Sequence, residues 1–245
     1  LLHPGVFIGA THSGQRTTVI GGQEAPLGSR PYMAYVQIRS TGSCGGFLIH
    51  EDDVVVTAAH CNCNLGQPVT HQGAGSGLVP LEEKGPVSNF IPPDPASLRL
   101  WDGIGAGNML PQTLELWHSA ELTEWVGLVS LPEADQHIGP GSECSVAGWG
   151  RTGVNTTTDT LQEAEQEVVS DSLCREQYQH YNPTTMLCAG SPLTNQSGDS
   201  GGPLVCNGVV QGIVSNGNPD GRPPSIYTRI SKFIPWITET LQKLS

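Results

Sequence analysis

Apolar residues in this 245-residue chain come in short bursts, such as Val54 to Val56 and Val209 with Val210. A bilayer-spanning helix needs about 20 apolar residues in succession, so no segment here is expected to cross a membrane. Nor does any heptad pattern run long enough for a coiled coil. What remains is short strands joined by turns, and 31 glycines with 19 prolines supply the turns. All-β folds commonly exceed the ~150 residues of an average domain, so the length fits one large domain or two small packed halves. The exception is the final segment, FIPWITETLQKLS, where Ile234, Ile237 and Leu241 share one helical face. The expected class is all-β with a C-terminal helix.

Eleven Lys and Arg stand against 23 Asp and Glu, a net charge of −12. Such a surface repels phosphate backbones, and nucleic acid is excluded as an expected partner. Seven cysteines are scattered, only Cys61 and Cys63 lying close together. That scatter favours disulfides over a zinc ribbon, and therefore an oxidising compartment. Asn155 and Asn195 begin Asn-x-Ser/Thr sequons, compatible with secretion.

Along the chain, residues 1–18 read as a pre- or activation segment: they start with Leu, and their apolar stretch is too brief for a signal-peptide core. From Val19 the text VIGGQEAPLGSRPYMAYVQIRS gives a turn and then a strand with Tyr32, Ala34, Val36 and Ile38 alternating. SCGGFLIHEDDVVVTAAHC supplies a second hairpin, and CSVAGWG, PLVCNGVVQGIVSNG and SIYTRIS continue the series. Residues 64–118 break it, with 8 Gly and 7 Pro in 55 positions and neither period sustained. No internal repeat is present.

Two short words carry chemistry. In Gly198-Asp199-Ser200-Gly201-Gly202-Pro203 a serine sits between a carboxylate and two glycines, before the apolar run LVC. A turn of that composition exposes backbone N–H groups, at Gly198 and Ser200, where an attacked carbonyl would develop negative charge. In Thr57-Ala58-Ala59-His60-Cys61 a histidine is available to take a serine proton near neutral pH and return it to a leaving group. Either word alone describes a turn or a core histidine. Together, 140 residues apart, they point to nucleophilic catalysis.

Both words resemble those of the trypsin-like serine protease family, TAAHC and GDSGGP. The resemblance extends to VIGG at Val19, SCGGFLI, CSVAGWG, and SIYTRIS with PWI, from Val19 to Ser245 apart from 64–118. VIGGQEAPLGSRPYMAYVQ, and Gln196 where most members carry cysteine, are closest to the granzyme, chymase and cathepsin G group. The resemblance implies two packed six-stranded antiparallel barrels, a protease domain over 19–245, and bridges Cys44 with Cys61, Cys144 with Cys206 and Cys174 with Cys188. Cys63 is left over: buried and inert, modified, or available for intermolecular pairing.

The resemblance also implies roles. His60 is the general base, Ser200 the nucleophile, and the N–H groups of Gly198 and Ser200 the oxyanion hole. An ammonium freed at Val19 would pair with Asp199. Thr194 falls at the base of the substrate pocket, with Ser215, Asn216 and Gly217 along its edge and Gly221 on its wall. With no carboxylate at the base, the pocket is expected to take an aromatic or large apolar residue, and a glycan at Asn195 would crowd it. Arg16 lies two residues too early for a trypsin-type activator, while Thr17-Thr18 occupies the slot of a removable dipeptide.

Two features depart from the family. Its third catalytic group, an aspartate, is expected near 108–112, where the chain reads Asn108, Met109, Leu110, Pro111, Gln112. Asp94 and Asp102 are the nearest carboxylates, and Asp102 is the candidate, although Gly103 and Gly105 follow it in place of an apolar strand. The segment 64–118 keeps the family's length without its strand pattern, as two compensating reading-frame shifts would leave it, so it is expected to be a gene-model artefact or a decayed region and the first barrel to lose strands. The expected function is a secreted or granule serine endopeptidase, monomeric, acting on proteins or peptides without metal or cofactor. The alternative is a catalytically silent homologue that binds.

Overall fold

The computed structural model describes residues 22–38, 42–50, 54–62, 110–115, 122–149, 151–153, 156–157, 160–191, 200–216 and 223–244. A short β1 (Gln23–Glu24) precedes a four-stranded antiparallel sheet of β2 (Met33–Ile38), β3 (Gly42–His50), β4 (Val54–Ala58) and β5 (Pro111–Glu115), in that order. The first three are the strand and hairpin read from the sequence. Glycine at 46 is what lets them pack: a Cβ there would come within 2.8 Å of Val55 Cγ1 and 3.1 Å of the Val56 carbonyl oxygen. Both faces of this sheet are covered. Met33, Phe47, Val54 and Val56 face the main core, while Ala34, Leu48 and Val55 pack together on the other side.

The fourth strand lies inside the stretch where no periodicity is sustained. β5 pairs along the whole of β4, from Val54 opposite Glu115 to Ala58 opposite Pro111. Backbone hydrogen bonding, blind to side-chain pattern, places it there, and proline is tolerated as the first residue of a strand. The rest of 64–118 lies outside the described residues.

The second sheet closes on itself. β6 (Glu143–Gly148), β9 (Gln162–Val168), β10 (Met186–Gly190), β13 (Ser225–Arg229), β12 (Val209–Asn216) and β11 (Pro203–Cys206) form a ring, β11 returning to β6, with β1 added on the outer side of β9. A small ribbon of β7 (Arg151–Gly153) and β8 (Thr156–Thr157) stands apart. Closure leaves no edge strand within the six. The β11–β12 hairpin turns on Asn207 and Gly208, both with positive φ (52° and 77°), as an Asn-Gly two-residue turn requires. Inside the barrel Val146, Ala164, Val168, Leu187, Leu204, Val214 and Tyr227 are buried beside Cys144 and Cys206.

The main core sits between sheet and barrel. Phe47, Val54 and Val56 from one side meet Val205, Val210, Ile213 and Ile230 from the other, and the C-terminal helix α2 (Ile234–Leu244) closes it with Ile237, fully buried. Ile234 and Leu241 pack on the same core, as their spacing predicts. A connecting segment stitches the halves: Val129 N–H donates to the Leu48 carbonyl and Val210 N–H to that of Ser130. A second helix, α1 (Asp171–Gln177), goes unread in the sequence. It is only 7 residues long, too short for a period to show, and its signals are terminal ones: Ser170 caps it by accepting from the Leu173 N–H, with Asp171 in its first turn and Arg175 in its last.

Candidate active site

Each half contributes one of the two chemical words. β4 runs into a 3-10 turn, Ala59–Asn62, that carries His60 and Cys61. Cys61 is bonded to Cys44 of β3 across a Cα separation of 6.1 Å, so the disulfide fixes the turn to its own sheet. The other two expected bridges also form, Cys144 with Cys206 and Cys174 with Cys188. Beside His60 on the strand side, the Ala59 N–H donates to the Leu110 carbonyl at 2.9 Å, and Pro111 lies opposite Ala58. The two β5-side residues adjoining the histidine turn are therefore apolar. Asp102 lies outside the described residues, as does Asp94.

Ser200 comes from the barrel. The Gly201 N–H donates to the Val214 carbonyl (2.8 Å) and the Val214 N–H to that of Gly202 (2.9 Å), which carries the β11–β12 pairing one step past Pro203 opposite Ile213 and up to the serine. Gly201 has φ +86°, open to glycine and strained for other residues. A Cβ at that position would run into Thr57 Oγ1 and the Gly45 carbonyl oxygen. Serine and histidine segments meet at this close approach. The Gly45 N–H donates to the Ser200 carbonyl at 2.8 Å, and Cys61 Sγ lies 3.8 Å from the same oxygen. Ser200 and His60 are both partly exposed.

On the barrel side Ser215 is buried at a bulge in β12, between Val214 opposite Tyr227 and Asn216 opposite Ile226. Bulges often re-aim a strand beside a functional site. Val19, Thr194, Gly198, Asp199, Gly217 and Gly221, together with Cys63, Asn155 and Asn195, lie outside the described residues. His60 and the sulfurs of Cys44 and Cys61 cluster within 4.8 Å. A thiolate pair there would invite a metal, but these two sulfurs are bonded to each other and offer none. An open groove of about 340 Å³ lined by Ser29, Arg30, Tyr32, Glu143, Glu165 and Asn207 contains neither Ser200 nor His60. Among the described residues no helix is long and apolar enough to cross a membrane.

Sequence reasoning missed Gly45 and Thr57 as parts of this site. Both sit within the words SCGGF and TAAHC, but nothing in a linear text says that residue 45 meets residue 200.

The family model for trypsin matches residues 19–237. Duodenase-1 of Bos taurus is 43% identical over 242 residues, covering 94% of this chain and 92% of that protein. Granzyme B of Homo sapiens is 41% identical over 243 residues, 92% of each. The solved structure of GrC superposes with a TM-score of 0.70 at 31% identity, covering 91% of this chain and all of that one. The chain is thus matched across most of its length, and the protein belongs to the trypsin-like serine protease family, with granule proteases among its homologues.

Proposed function

We propose that the protein is an active serine endopeptidase, secreted or stored in granules, that cleaves protein or peptide substrates after aromatic or large apolar residues. One observation carries the reading most directly: the Ser200 carbonyl is held by the Gly45 N–H, 3.8 Å from the sulfur of the residue after His60, so the nucleophile's segment and the base's are anchored to one another. His60 takes the Ser200 proton as the hydroxyl attacks the scissile carbonyl, then returns it to the leaving amine. The N–H groups of Gly198 and Ser200 receive the developing oxyanion. Water repeats the sequence on the acyl-enzyme and restores Ser200. Nothing in these steps calls for a metal or cofactor.

The remaining assignments complete the proposal. The ammonium of Val19 pairs with Asp199, and Asp102 is the carboxylate assigned to steady the imidazolium. Thr194, Ser215, Asn216, Gly217 and Gly221 shape a neutral pocket. The domain runs over 19–245 behind a 1–18 activation segment, and the enzyme acts as a monomer.

Fluorophosphonate labelling of protein processed to begin at Val19, with mass spectrometry of the labelled peptide, tests the reading. The reagent needs an activated serine and a formed oxyanion hole. Labelling is expected at Ser200, and Ser200→Ala is expected to abolish it. A folded protein that takes no label would instead be a silent homologue that binds without cutting.

A further inference from the structure

We propose that Thr57 is a positioning residue that sets the spacing between His60 and Ser200, an assignment that rests on the endopeptidase reading above. Thr57 is 1% exposed, three residues before His60 on β4. Its Oγ1 donates to the Gly45 carbonyl at 2.8 Å, a bond buried from solvent. The N–H of the same residue donates to the Ser200 carbonyl at 2.8 Å. One residue, Gly45, thus bonds with both of its backbone groups: its carbonyl to the strand that leads to His60 and its N–H to the turn that bears Ser200.

A second observation makes the contact tight. A single methyl group at Gly201 would strike both Thr57 Oγ1 and the Gly45 oxygen, and would stand 3.2 Å from the Ala58 nitrogen. Thr57, Gly45 and Gly201 therefore touch without slack, and a shift of the Thr57 hydroxyl is transmitted to the residue after Ser200. The disulfide Cys44–Cys61 holds the far end of the histidine turn but does not reach Ser200 by a hydrogen bond, because its sulfurs carry no proton. Thr57 supplies the directional link that the disulfide lacks. A misplacement of reacting groups by about 1 Å is enough to slow chemistry by about a hundredfold.

Thr57→Val keeps the branched shape and removes the hydroxyl; Thr57→Ser keeps the hydroxyl. Two readouts on the folded protein decide. For Thr57→Val the rate constant for fluorophosphonate labelling at Ser200 is expected to fall about tenfold, with kcat falling and KM unchanged on a peptide substrate with an aromatic residue before the cut. Amide exchange at Gly45 is expected to quicken beyond the change at strand amides elsewhere. Thr57→Ser is expected to restore both. A Thr57→Val protein with unchanged kcat and unchanged Gly45 protection would overturn the assignment, even if its melting temperature dropped, because that is the pattern of a merely structural hydroxyl. If the parent protein takes no label, the endopeptidase reading is what fails, and Gly45 exchange alone then decides whether Thr57 governs the Ser200 segment.

Discussion

The sheet that brings Ser200 closes on itself, with six strands each paired on both sides, whereas the described sheet that brings His60 is four strands whose last member, β5, comes from more than 50 residues further along the chain. In the barrel, the Asn207-Gly208 turn, the Cys144–Cys206 bridge and the apolar interior all specify the same register. In the other sheet β2, β3 and β4 are mutually consistent, but β5 brings Gln112 and Thr113 into buried positions where Gln112 Oε1 and Thr113 Oγ1 have no hydrogen-bond partner among the described residues. Ser200 is mounted on the better determined half. His60 depends more on local pins: the Cys44–Cys61 bridge and the Thr57 hydrogen bond.

The disulfides test this contrast with the largest expected effects. Chain entropy makes the bridge that closes the longer loop the more stabilising: for a separation of 62 residues, Cys144–Cys206 contributes about 4 kcal/mol, and for 17 residues, Cys44–Cys61 contributes about 3 kcal/mol. Activity is expected to follow the opposite order. Cys144→Ala with Cys206→Ala should lower the urea midpoint more yet leave Ser200 labelling of the folded protein nearly unchanged. Cys44→Ala with Cys61→Ala should lower the midpoint less but slow labelling about tenfold, because it releases the turn that carries His60. Equal effects on labelling would erase the distinction between a half that is mounted and a half that is pinned.

The same contrast explains what could be read in the sequence. The strands around Val54–Val56, the histidine word, the Ser200–Pro203 part of the serine word, the three bridges and the Ile234, Ile237, Leu241 face all depend on local pattern or on a family resemblance, and each is present among the described residues. β5 was not legible, since Pro111, Gln112 and Thr113 alternate no apolar face and are placed by β4's hydrogen-bonding edge. α1 was missed for its brevity. The Thr57–Gly45–Ser200 link was out of reach for a different reason: its long step, from Gly45 to Ser200, joins residues more than 150 positions apart through backbone groups that every residue possesses.

A smaller effect is expected on the barrel's flank. Tyr181 donates to Asp171 Oδ1 at 2.6 Å, tying the segment after α1 to the start of that helix, next to the Cys174–Cys188 bridge. Burial first, and then the bond to Asp171, push the phenol above its ordinary 10.0. Tyr181→Phe is expected to cost about 1–2 kcal/mol near neutral pH, the worth of a hydrogen bond to a charged acceptor. The sign with pH follows from linkage. Above pH 10 the unfolded chain's tyrosine gives up its proton while the folded one keeps it, so the wild type's advantage over Tyr181→Phe is complete below pH 10 and shrinks as pH rises beyond it. Chemical denaturation at pH 7 and pH 10.5 measures the difference; an advantage that grew with pH would contradict it. Ser200 labelling should not change, because this clamp lies on the half that is already closed.

The smallest effect carries the finest comparison, since it sets two buried threonines on neighbouring strands against each other. Thr57 and Thr113 are each 1% exposed, and in the register of β4 and β5 they are one residue apart, Thr57 opposite Gln112 and Val56 opposite Thr113. The Thr57 hydroxyl has the Gly45 carbonyl as its partner; the Thr113 hydroxyl has none among the described residues. A buried hydroxyl without a partner has lost its water and gained nothing in return. Valine has nearly the same shape, so the two substitutions to valine should differ in sign. Thr57→Val leaves the Gly45 oxygen without its donor and is expected to destabilise by about 1 kcal/mol, while Thr113→Val removes an unpartnered group and is expected to stabilise by about as much. Urea unfolding of both variants checks the pair. If Thr113→Val also destabilises, the hydroxyl is satisfied in solution and β5 is not the weak strand of its sheet; if it stabilises, the cost of building the histidine half around an unpatterned strand has been located in one side chain.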